Sequence, residues 1–360
     1  MVFKMPEYRG PDLESEPFAS FPDAALAPVE KAGVAPEGFH ATTIYPEYIK
    51  LAGEWALLRM SRMDSVVVVM GGEPEVKEFR RLEAGDEVVL GRTEDGSEGI
   101  IVHSGGFETV DGPHEQFAFR TGRTRETSYS MDYDRLYDLL EHEKENGYVV
   151  WVLGPAVVFD HDSREAMVGL IERGFAHAVL AGNALAAHDM EAAVFRTALG
   201  QDIYTQECAP NGHYNHLDVI NRARAEGSIE ALIRSGQVKD GIVRACAMKD
   251  VPLVIAGSIR DDGPVPQAIP DAYEAQDAMR RHCSRATTLI GLATQLHSIA
   301  AGNMTPCYQV VDGKVRPVFI YIVDVSEFAV NKLRDRGTLE VISIVTNVQD
   351  FLVNLWRRLL

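Results

Sequence analysis

The chain has 360 residues, a formal net charge of −18 at pH 7 and a hydrophobic content of 46%. The length predicts one large domain or two of ordinary size, and the hydrophobic content is that of a chain that buries a core. The acidic charge argues against non-specific binding of nucleic acid or of an anionic membrane, because both depend on an excess of Lys and Arg.

The cysteines and the first residues bear on the compartment. The four cysteines are widely spaced and no pair has Cys-x-x-Cys spacing, so neither a disulfide framework nor a zinc knuckle is expected. This usage favours a reducing compartment, and we expect a cytoplasmic protein. The N-terminus is too acidic for a signal peptide, and no stretch approaches about 18 uninterrupted apolar residues, so no transmembrane helix is expected.

The first part of the chain predicts an arm followed by a β-rich subdomain. Residues 1–32 are rich in Pro, Glu and Ala, which is typical of an extended segment. Within residues 33–118, short apolar runs alternate with Gly and Asp turns, as in small β domains. The loop at 39–46 mixes aromatic and polar residues; it could reach an active site, although a packed loop is the commoner structure. A Gly-, Arg- and Thr-rich stretch at 105–127 is the expected domain boundary.

Residues 119–360 alternate between helix and strand patterns, which predicts a Rossmann-like α/β domain with a mostly parallel sheet. The predicted strands are 148–153, 177–180, 253–256, 287–292, 319–323 and 340–345. The predicted helices are 134–146, 164–173, 189–199, 217–225, 228–235, 271–282 and 326–336.

The most informative segment follows the predicted strand 253–256. Two small residues and then three charged ones come after it: Gly257, Ser258, Arg260, Asp261 and Asp262. Ligands bind outside the carboxyl ends of the strands in open α/β sheets, so this segment is a candidate catalytic site. A polar surface turn with two solvated carboxylates explains the same residues equally well.

Other glycines with small or polar neighbours also follow apolar runs. These segments are Gly154, Pro155 and Ala156; Gly182 and Asn183; and Gly302, Asn303 and Met304. A glycine at a strand end permits close approach of the backbone to a diphosphate. The G-x-G-x-x-G fingerprint is absent from the chain. Taken together, the glycine turns predict a groove lined by backbone amides that binds a dinucleotide.

One acidic residue favours NAD as the cofactor. Asp324 follows an apolar strand pattern and precedes a predicted helix. In that position a carboxylate can accept two hydrogen bonds from the adenosine ribose, and its charge would repel the 2′-phosphate of NADP. The alternative is that Asp324 or Ser326 only caps the following helix.

Several histidines are candidates for proton transfer or metal binding. His188 precedes Asp189 at a predicted helix start, where Asp189 could be only a cap. His297 lies in an apolar run, where histidines are more often core residues than catalysts. His213 and His216 are three residues apart, but no third ligand is apparent, so no metal site is predicted.

Nine segments together resemble a known family. They are 34–39, 41–43, 153–158, 181–186, 188–191, 256–264, 274–279, 296–304 and 332–337. They are similar to the NAD-dependent ornithine cyclodeaminases of archaea and to the C-terminal part of the cyanobacterial arginine dihydrolase/ornithine cyclodeaminases. The family has also been labelled after the lysine-oxoglutarate reductase/saccharopine dehydrogenase (LOR/SDH) region. The similarity extends from about residue 33 to the C-terminus.

The resemblance implies a β-rich subdomain, a Rossmann-like NAD-binding domain, and conversion of L-ornithine to L-proline and ammonia through transient hydride transfer to bound NAD+. On this hypothesis Asp261 or Asp262 is the base or the amine partner, and Arg260 anchors the carboxylate. Asn183 and Asn303 would orient the nicotinamide or the substrate. His188 and His297 are alternative proton carriers.

Departures from the family leave other functions open. The arginine dihydrolase domain is missing, so guanidine chemistry is not expected. Ile44 and Tyr45 stand where Asn- or His-like residues are expected, and ornithine, lysine or another amino acid could be the substrate. The chain could instead be an NAD-dependent amino-acid dehydrogenase, similar to saccharopine dehydrogenase, or a non-catalytic NAD-binding regulatory protein. A homo-oligomer is the usual state for enzymes of this size.

Overall fold

A computed structural model describes residues 3–107, 130–326 and 340–360 of the chain. Its first part contains only strands, apart from short 3-10 turns. They are β1 (Ala25–Pro28), β2 (Glu47–Leu51), β3 (Glu54–Leu57), β4 (Val66–Met70), β5 (Glu73–Lys77), β6 (Glu87–Leu90) and β7 (Ile100–Val102). We call residues 3–107 the β-rich region.

The second part, residues 130–326 and 340–360, alternates helices and strands, and we call it the Rossmann domain. Its first elements are α1 (Ser130–Asn146), β8 (Val149–Leu153), α2 (His161–Glu172), β9 (Ala178–Gly182), α3 (Asn183–Phe195), β10 (Thr197–Ala198), β11 (Gln201–Asp202), α4 (Asn215–Glu226), α5 (Ile229–Arg234) and α6 (Ile242–Met248). The later ones are β12 (Leu253–Ala256), α7 (Ala272–Cys283), β13 (Thr288–Leu292), α8 (Gln295–Met304), β14 (Tyr308–Val311), β15 (Lys314–Pro317), β16 (Phe319–Asp324), β17 (Glu340–Val345) and α9 (Val348–Leu359).

The β-rich region consists of two antiparallel sheets, with strand orders β1-β6-β4-β5 and β3-β2-β7. A small core that includes Ile49, Val67, Val89 and Ile100 joins them. The prediction of a β-rich region is therefore confirmed. β4 is buried on both faces, since Val67 belongs to this core and Val66 and Val68 belong to a second one.

The predicted N-terminal arm packs on its own chain. Its residues 25–28 are β1, which pairs with β6 in register Ala25 to Leu90. The ammonium of Lys50 donates hydrogen bonds to the carbonyl oxygens of Ala19, at 2.8 Å, and Phe21, at 2.7 Å. The last part of residues 1–32 is thus a sheet strand rather than an extended arm. A cation with several backbone acceptors holds the preceding turn in place.

The Rossmann domain is built on six parallel strands in the order β12-β9-β8-β13-β16-β17. Numbered along the chain, this order is 3-2-1-4-5-6, which is typical of dinucleotide-binding domains. All six strands predicted from the sequence are present. Every residue of β8 and β13 is buried, because helices cover both faces of a parallel sheet. The predicted Rossmann-like fold is confirmed.

The strand order reverses between β8 and β13, which makes this pair the topological switch point. Crossover connections are right-handed, so the helices that connect the two halves lie on opposite faces of the sheet. α2 packs on α6 and α9, whereas α7 packs on α8. The carboxyl ends of β8 and β13 therefore open into a crevice between oppositely placed helices.

Two expectations about helices were wrong. The apolar run that ends in Gly302, Asn303 and Met304 was expected to lead into a glycine turn, but it forms the helix α8. Short apolar runs cannot be assigned to strand or buried helix by periodicity alone. α3 begins at Asn183, six residues before the expected start at Asp189, because β9 ends at Gly182 and the helix follows without a loop.

Several predictions concern residues outside the described parts. The helix predicted at 326–336, the similar segment at 332–337 and most of the boundary stretch at 105–127 belong to this group. Within the described parts, no helix is sufficiently long and apolar to cross a membrane.

Candidate active site

The carboxyl ends of three parallel strands bring the predicted glycine turns to one edge of the sheet. β8 ends directly before Gly154, β9 ends at Gly182, and β12 ends directly before Gly257. Ala256 pairs with Gly182 in the ladder between β12 and β9. The turns are therefore neighbours, at the edge where ligands bind in sheets of this kind.

The protein itself explains why these positions are glycine. A Cβ at Gly154 would lie 2.0 Å from the carbonyl oxygen of Ala293, and one at Gly257 would lie 2.7 Å from that of Ile269. These distances are far below any van der Waals contact. The expected reason, close approach of a ligand, is thus not needed at Gly154 or Gly257, because the crossing backbone already fills the space.

Three predicted side chains meet at this edge. Asn183 Nδ2 lies 3.4 Å from Asp261 Oδ1, and the ring of His297 lies over Gly182, with Cε1 2.9 Å from where a Cβ would be. Asp261 Oδ2 also accepts a hydrogen bond from the Ser258 N–H at 2.9 Å. We call Asn183, Asp261 and His297 the edge cluster. All three are partly buried, so they are oriented by the protein yet open to a ligand.

Asn183 connects two elements of the edge. It is the first residue of α3, and its Oδ1 accepts a hydrogen bond at 2.9 Å from the N–H of Val265 in the loop after β12. Its amide NH2 faces Asp261. Asn183 therefore fixes the loop that carries Asp261 to the start of a rigid helix.

The electrostatics of the edge cluster favour a neutral imidazole. Burial lowers the pKa of His297 below its ordinary value of 6.5, and the negative charge of Asp261 opposes this shift only in part. A neutral imidazole has one nitrogen that can accept a proton. An acceptor of this kind beside a carboxylate can take up a proton from a bound amine and return it.

The two charged neighbours of Asp261 lie differently. The side chains of Arg260 and Asp262 are exposed, and the Arg260 backbone N–H donates to Ser258 Oγ at 3.0 Å. The interpretation as a solvated surface turn therefore describes Arg260 and Asp262. Of these three charged residues, Asp261 is the one whose side chain faces Asn183.

Two helices begin at the same edge with free amide groups. Gly182, the N-cap of α3, has no side chain, and Thr294, the N-cap of α8, makes no side-chain capping bond. Uncapped helix N-termini are favourable places for the oxygens of a diphosphate. Ala293, between β13 and Thr294, has φ +49°, a conformation that non-glycine residues adopt at a cost and often at functional sites.

Sequence reasoning missed Ala293 and Thr294. The pattern that could have found them is a buried strand followed at once by Thr and a helix-compatible run, since Thr is a preferred N-cap residue. The misassignment of α8 hid this pattern. Ser298, one turn into α8, is 2% exposed, and its Oγ has no hydrogen-bond partner in the described parts of the chain.

The fourth predicted glycine turn, at Gly302, is not at this edge. Gly302, Asn303 and Met304 form the last turn of α8, and a helix rises about 1.5 Å per residue. They consequently lie well over a turn of helix beyond Thr294, toward the opposite edge of the sheet. Gly302 and Met304 are buried, in keeping with helix packing.

Asp324 is the last residue of β16, at the carboxyl edge. Its Oδ1 accepts a hydrogen bond from the Ser326 N–H at 2.9 Å, and the helix that it was expected to cap lies outside the described residues. β16 is also the second strand of the unit β13-α8-β16, and an acid after the second strand of such a unit is the residue that binds ribose hydroxyls. The bond from Ser326 uses one carboxylate oxygen, so it is compatible with binding of a ribose.

His188 and Asp189 lie inside α3 rather than at its start. His188 Nδ1 is 2.8 Å from Glu191 Oε2, and Glu191 Oε1 accepts from Thr197 Oγ1 at 2.8 Å. This internal network connects α3 to the turn that follows it. The contacts of His188 are therefore with this network and not with the edge cluster.

The described residues contain no group of three or more His, Cys, Asp or Glu side chains that could hold a metal ion. His213 is exposed and His216 is only partly so.

Comparison with known proteins identifies the family. The model of the family described as "Arginine dihydrolase ArgZ-like, C-terminal, Rossmann fold" matches residues 136–355. The ornithine cyclodeaminase of Methanopyrus kandleri is 37% identical over 347 residues, which are 94% of this chain and 78% of the relative. The ornithine cyclodeaminase of Archaeoglobus fulgidus is 36% identical over 98% of this chain and 80% of its own length.

Solved structures give the same result. A conserved putative LOR/SDH protein from Methanococcus maripaludis aligns with a TM-score of 0.86 and 34% identity, covering 94% of this chain and 98% of that one. The ternary complex of AgrE with ornithine and NAD+ aligns with a TM-score of 0.60 and 33% identity, covering 94% of this chain and 46% of that one. The chain belongs to the family formed by the archaeal ornithine cyclodeaminases and the C-terminal Rossmann-fold region of the ArgZ-like arginine dihydrolases.

Proposed function

We propose that the protein is an ornithine cyclodeaminase that converts L-ornithine to L-proline and ammonia with bound NAD+. Relatives that cover most of the chain carry this name, at 35–37% identity. AgrE, a relative at 33% identity, has been solved with ornithine and NAD+. The observation within this chain that carries the proposal is the edge cluster, a carboxylate and a neutral imidazole at the carboxyl edge of a 3-2-1-4-5-6 sheet.

The edge cluster supplies groups for the first step, removal of a proton from the α-amine, and for the later release of ammonia. His297 is the proton acceptor for the α-amine, because its lowered pKa keeps the imidazole neutral at pH 7. Asp261 is the partner of an ammonium group, since a partly buried carboxylate favours a cation nearby. Asn183 positions Asp261 through the contact at 3.4 Å. Release of ammonia needs a proton, which the protonated His297 can return.

The residues at the edge fit a dinucleotide. The uncapped starts of α3 and α8 provide amide groups for the diphosphate. Asp324 ends the second strand of a βαβ unit, where it would hold ribose hydroxyls and repel a 2′-phosphate. The Oγ of the buried Ser298, which has no hydrogen-bond partner among the described residues, is a further polar atom in the first turns of α8. Bound NAD+ would supply a reversible hydride acceptor for the amino-acid Cα.

A second candidate function is an NAD-dependent amino-acid dehydrogenase. The relative of known structure from Methanococcus maripaludis is called a putative LOR/SDH protein, whereas a relative from the same organism is named ornithine cyclodeaminase. A dehydrogenase would use the same edge and the same cofactor. The two functions differ in whether reduced cofactor leaves as a product.

The decisive experiment incubates the protein with NAD+ and L-ornithine and measures proline, ammonia and NADH in the same samples. A cyclodeaminase gives proline and ammonia in equal amounts without net NADH. Accumulation of NADH in proportion to product would instead identify a dehydrogenase. Binding of NAD+ without any turnover would favour a regulatory protein. L-lysine and L-arginine in parallel samples define the substrate.

We further propose that the protein works in the cytoplasm. Its four cysteines, three of them buried, form no disulfide, which suits a reducing compartment.

A further inference from the structure

A cleft of about 350 Å³ lies between the β-rich region and α7. Five basic side chains line it: Arg62, Lys77, Arg81, Arg280 and Arg281. Three acidic side chains also line it: Glu75, Glu78 and Asp277. Lys77 is paired at 2.6 Å with Asp86, which is outside the lining, so the positive excess of the cleft comes from its four arginines, although the chain carries a net charge of −18. We call it the arginine cleft.

The arginines in and beside the cleft outnumber the carboxylates with which they form ion pairs. Glu78 is contacted by three guanidinium groups: it pairs with Arg62 and with Arg280, and its Oε2 lies 3.2 Å from Arg81 Nε. Asp277 Oδ1 is 2.5 Å from guanidinium nitrogens of both Arg80 and Arg81. Among the described residues, the guanidinium groups of Arg62, Arg80, Arg81 and Arg280 thus pair with two carboxylates, which leaves an excess of positive charge beside the cleft.

Arg280 is the centre of this imbalance. Its side chain is 14% exposed, and its Nε has no hydrogen-bond partner among the residues that the structure describes. A buried donor without an acceptor is rare, so Arg280 marks the place where the ion pairs of the cleft are incompletely satisfied. Burial lowers the pKa of Arg280, Glu78 offsets this in part, and the neighbouring guanidinium groups of Arg62 and Arg81 lower it further.

The arginine cleft is separate from the candidate active site. Arg280 lies in the last turn of α7, directly before the short turn that leads into β13. It is therefore near the amino edge of the sheet, whereas the edge cluster is at the carboxyl edge. The carbonyl end of α7 carries about half a negative charge, which is too little to balance the surplus of guanidinium groups.

We propose that the arginine cleft binds a small oxyanion with at least two negative charges, such as a phosphate or a polycarboxylate. Guanidinium groups donate paired N–H bonds in a plane, and this geometry matches the oxygens of phosphate and carboxylate groups. The ligand would accept hydrogen bonds from the guanidinium groups of Arg62, Arg280 and Arg281, which line the cleft. Because the cleft joins the β-rich region to α7, binding tightens the contact between the two parts. The proposal does not depend on the proposed cyclodeaminase function.

The test is a titration of the purified full chain with inorganic phosphate and, separately, with citrate, at constant ionic strength set with sodium chloride. Thermal unfolding and calorimetry report binding. We expect at least one of the two anions to stabilise the protein in a saturable manner. A response to phosphate alone or to citrate alone defines the ligand class. No saturable response to either anion would overturn the proposal.

Variants assign the binding to the cleft. Arg280→Gln should weaken binding of the active anion at least tenfold. Arg281→Gln, a change at an exposed arginine of the cleft, should weaken it severalfold without disturbing the pairs around Glu78. The matched control is Arg234→Gln, at an exposed arginine on α5, which should bind as the wild type does. If Arg281→Gln and a folded Arg280→Gln both bind the active anion as tightly as the control does, the proposed binding site is wrong. The arginines would then serve only to hold the β-rich region against α7.

Discussion

Asp261 and Asp262 are adjacent in sequence but have different surroundings. Asp261 accepts a hydrogen bond from the Ser258 N–H and faces Asn183, whereas Asp262 is exposed. The sequence named both as candidates, and it contains nothing that separates them, because the direction of each side chain depends on how the loop after β12 folds back. The three-dimensional contacts favour Asp261.

Substituting each aspartate by asparagine tests this assignment. We expect Asp261→Asn to lower the rate of proline formation about 100-fold, the usual scale for loss of a group that assists proton transfer. Asp262→Asn should stay within about twofold of the wild type, as a solvated side chain contributes little. Steady-state rates with ornithine and NAD+ measure both. Equal losses in the two variants would contradict the role given to Asp261.

The titration of His297 provides a second test at the residue scale. Burial lowers its pKa and Asp261 opposes the shift, so the rate should fall only as the pH drops below 6.5. Removing the negative charge in Asp261→Asn should lower the pKa of His297 further, because the imidazolium loses a favourable neighbour. NMR titration of the histidine signals measures the shift. Asp262→Asn, a change at an exposed residue, should leave the pKa of His297 unchanged. A higher pKa of His297 in Asp261→Asn would contradict the electrostatic interaction between Asp261 and His297.

Among the elements, α3 shows how tertiary contacts decide the role of a residue. Asp189, expected as a helix cap, is fully buried inside α3. Its Oδ1 lies 2.6 Å from Arg164 Nε on α2, and its Oδ2 accepts from the Val243 N–H of α6 at 2.8 Å. Asp189 therefore joins three helices and is a structural residue. The start of α3 at Asn183 places the polar amide at the sheet edge instead.

Asp189→Asn should destabilise the fold by about 3 kcal/mol, since removing one charge leaves a buried guanidinium without its main partner. Chemical denaturation measures the free energy of unfolding. Asp240→Asn is the control, because Asp240 also pairs with Arg164 but its side chain is 63% exposed. We expect less than about 1 kcal/mol for this exposed partner. A similar loss in both variants would show that Asp189 is not the main anchor.

At the scale of the whole molecule, the 3-2-1-4-5-6 order brings residues from distant parts of the chain to one crevice. Asn183, Asp261, His297 and Asp324 come from four separate strand ends or helix starts. A ligand that bridges these ends should stabilise the folded state as a unit, because the unfolded chain offers no such arrangement.

Stabilisation by cofactor tests this arrangement. At a free NAD+ concentration about 100 times the dissociation constant, the free energy of unfolding should rise by about 2.7 kcal/mol. NADP+ at the same concentration should have a smaller effect, because in the proposed role the Asp324 carboxylate would repel the 2′-phosphate. Denaturant unfolding with each cofactor measures the stabilisation of the folded state. In Asp324→Asn, the stabilisation by NAD+ and by NADP+ should differ less than in the wild type. An equal effect of NAD+ and NADP+ would contradict the role of Asp324.

The amino-acid sequence alone determined the β-rich region, the six parallel strands and the family, because buried strands and turns are encoded in short apolar runs with glycine and aspartate between them. It also named Asn183, Asp261 and His297 as candidates. Only the tertiary structure decided that these three lie together and that His188, Asp189 and Gly302 belong to internal packing. Strand order and side-chain direction depend on contacts between distant segments, which local patterns do not contain.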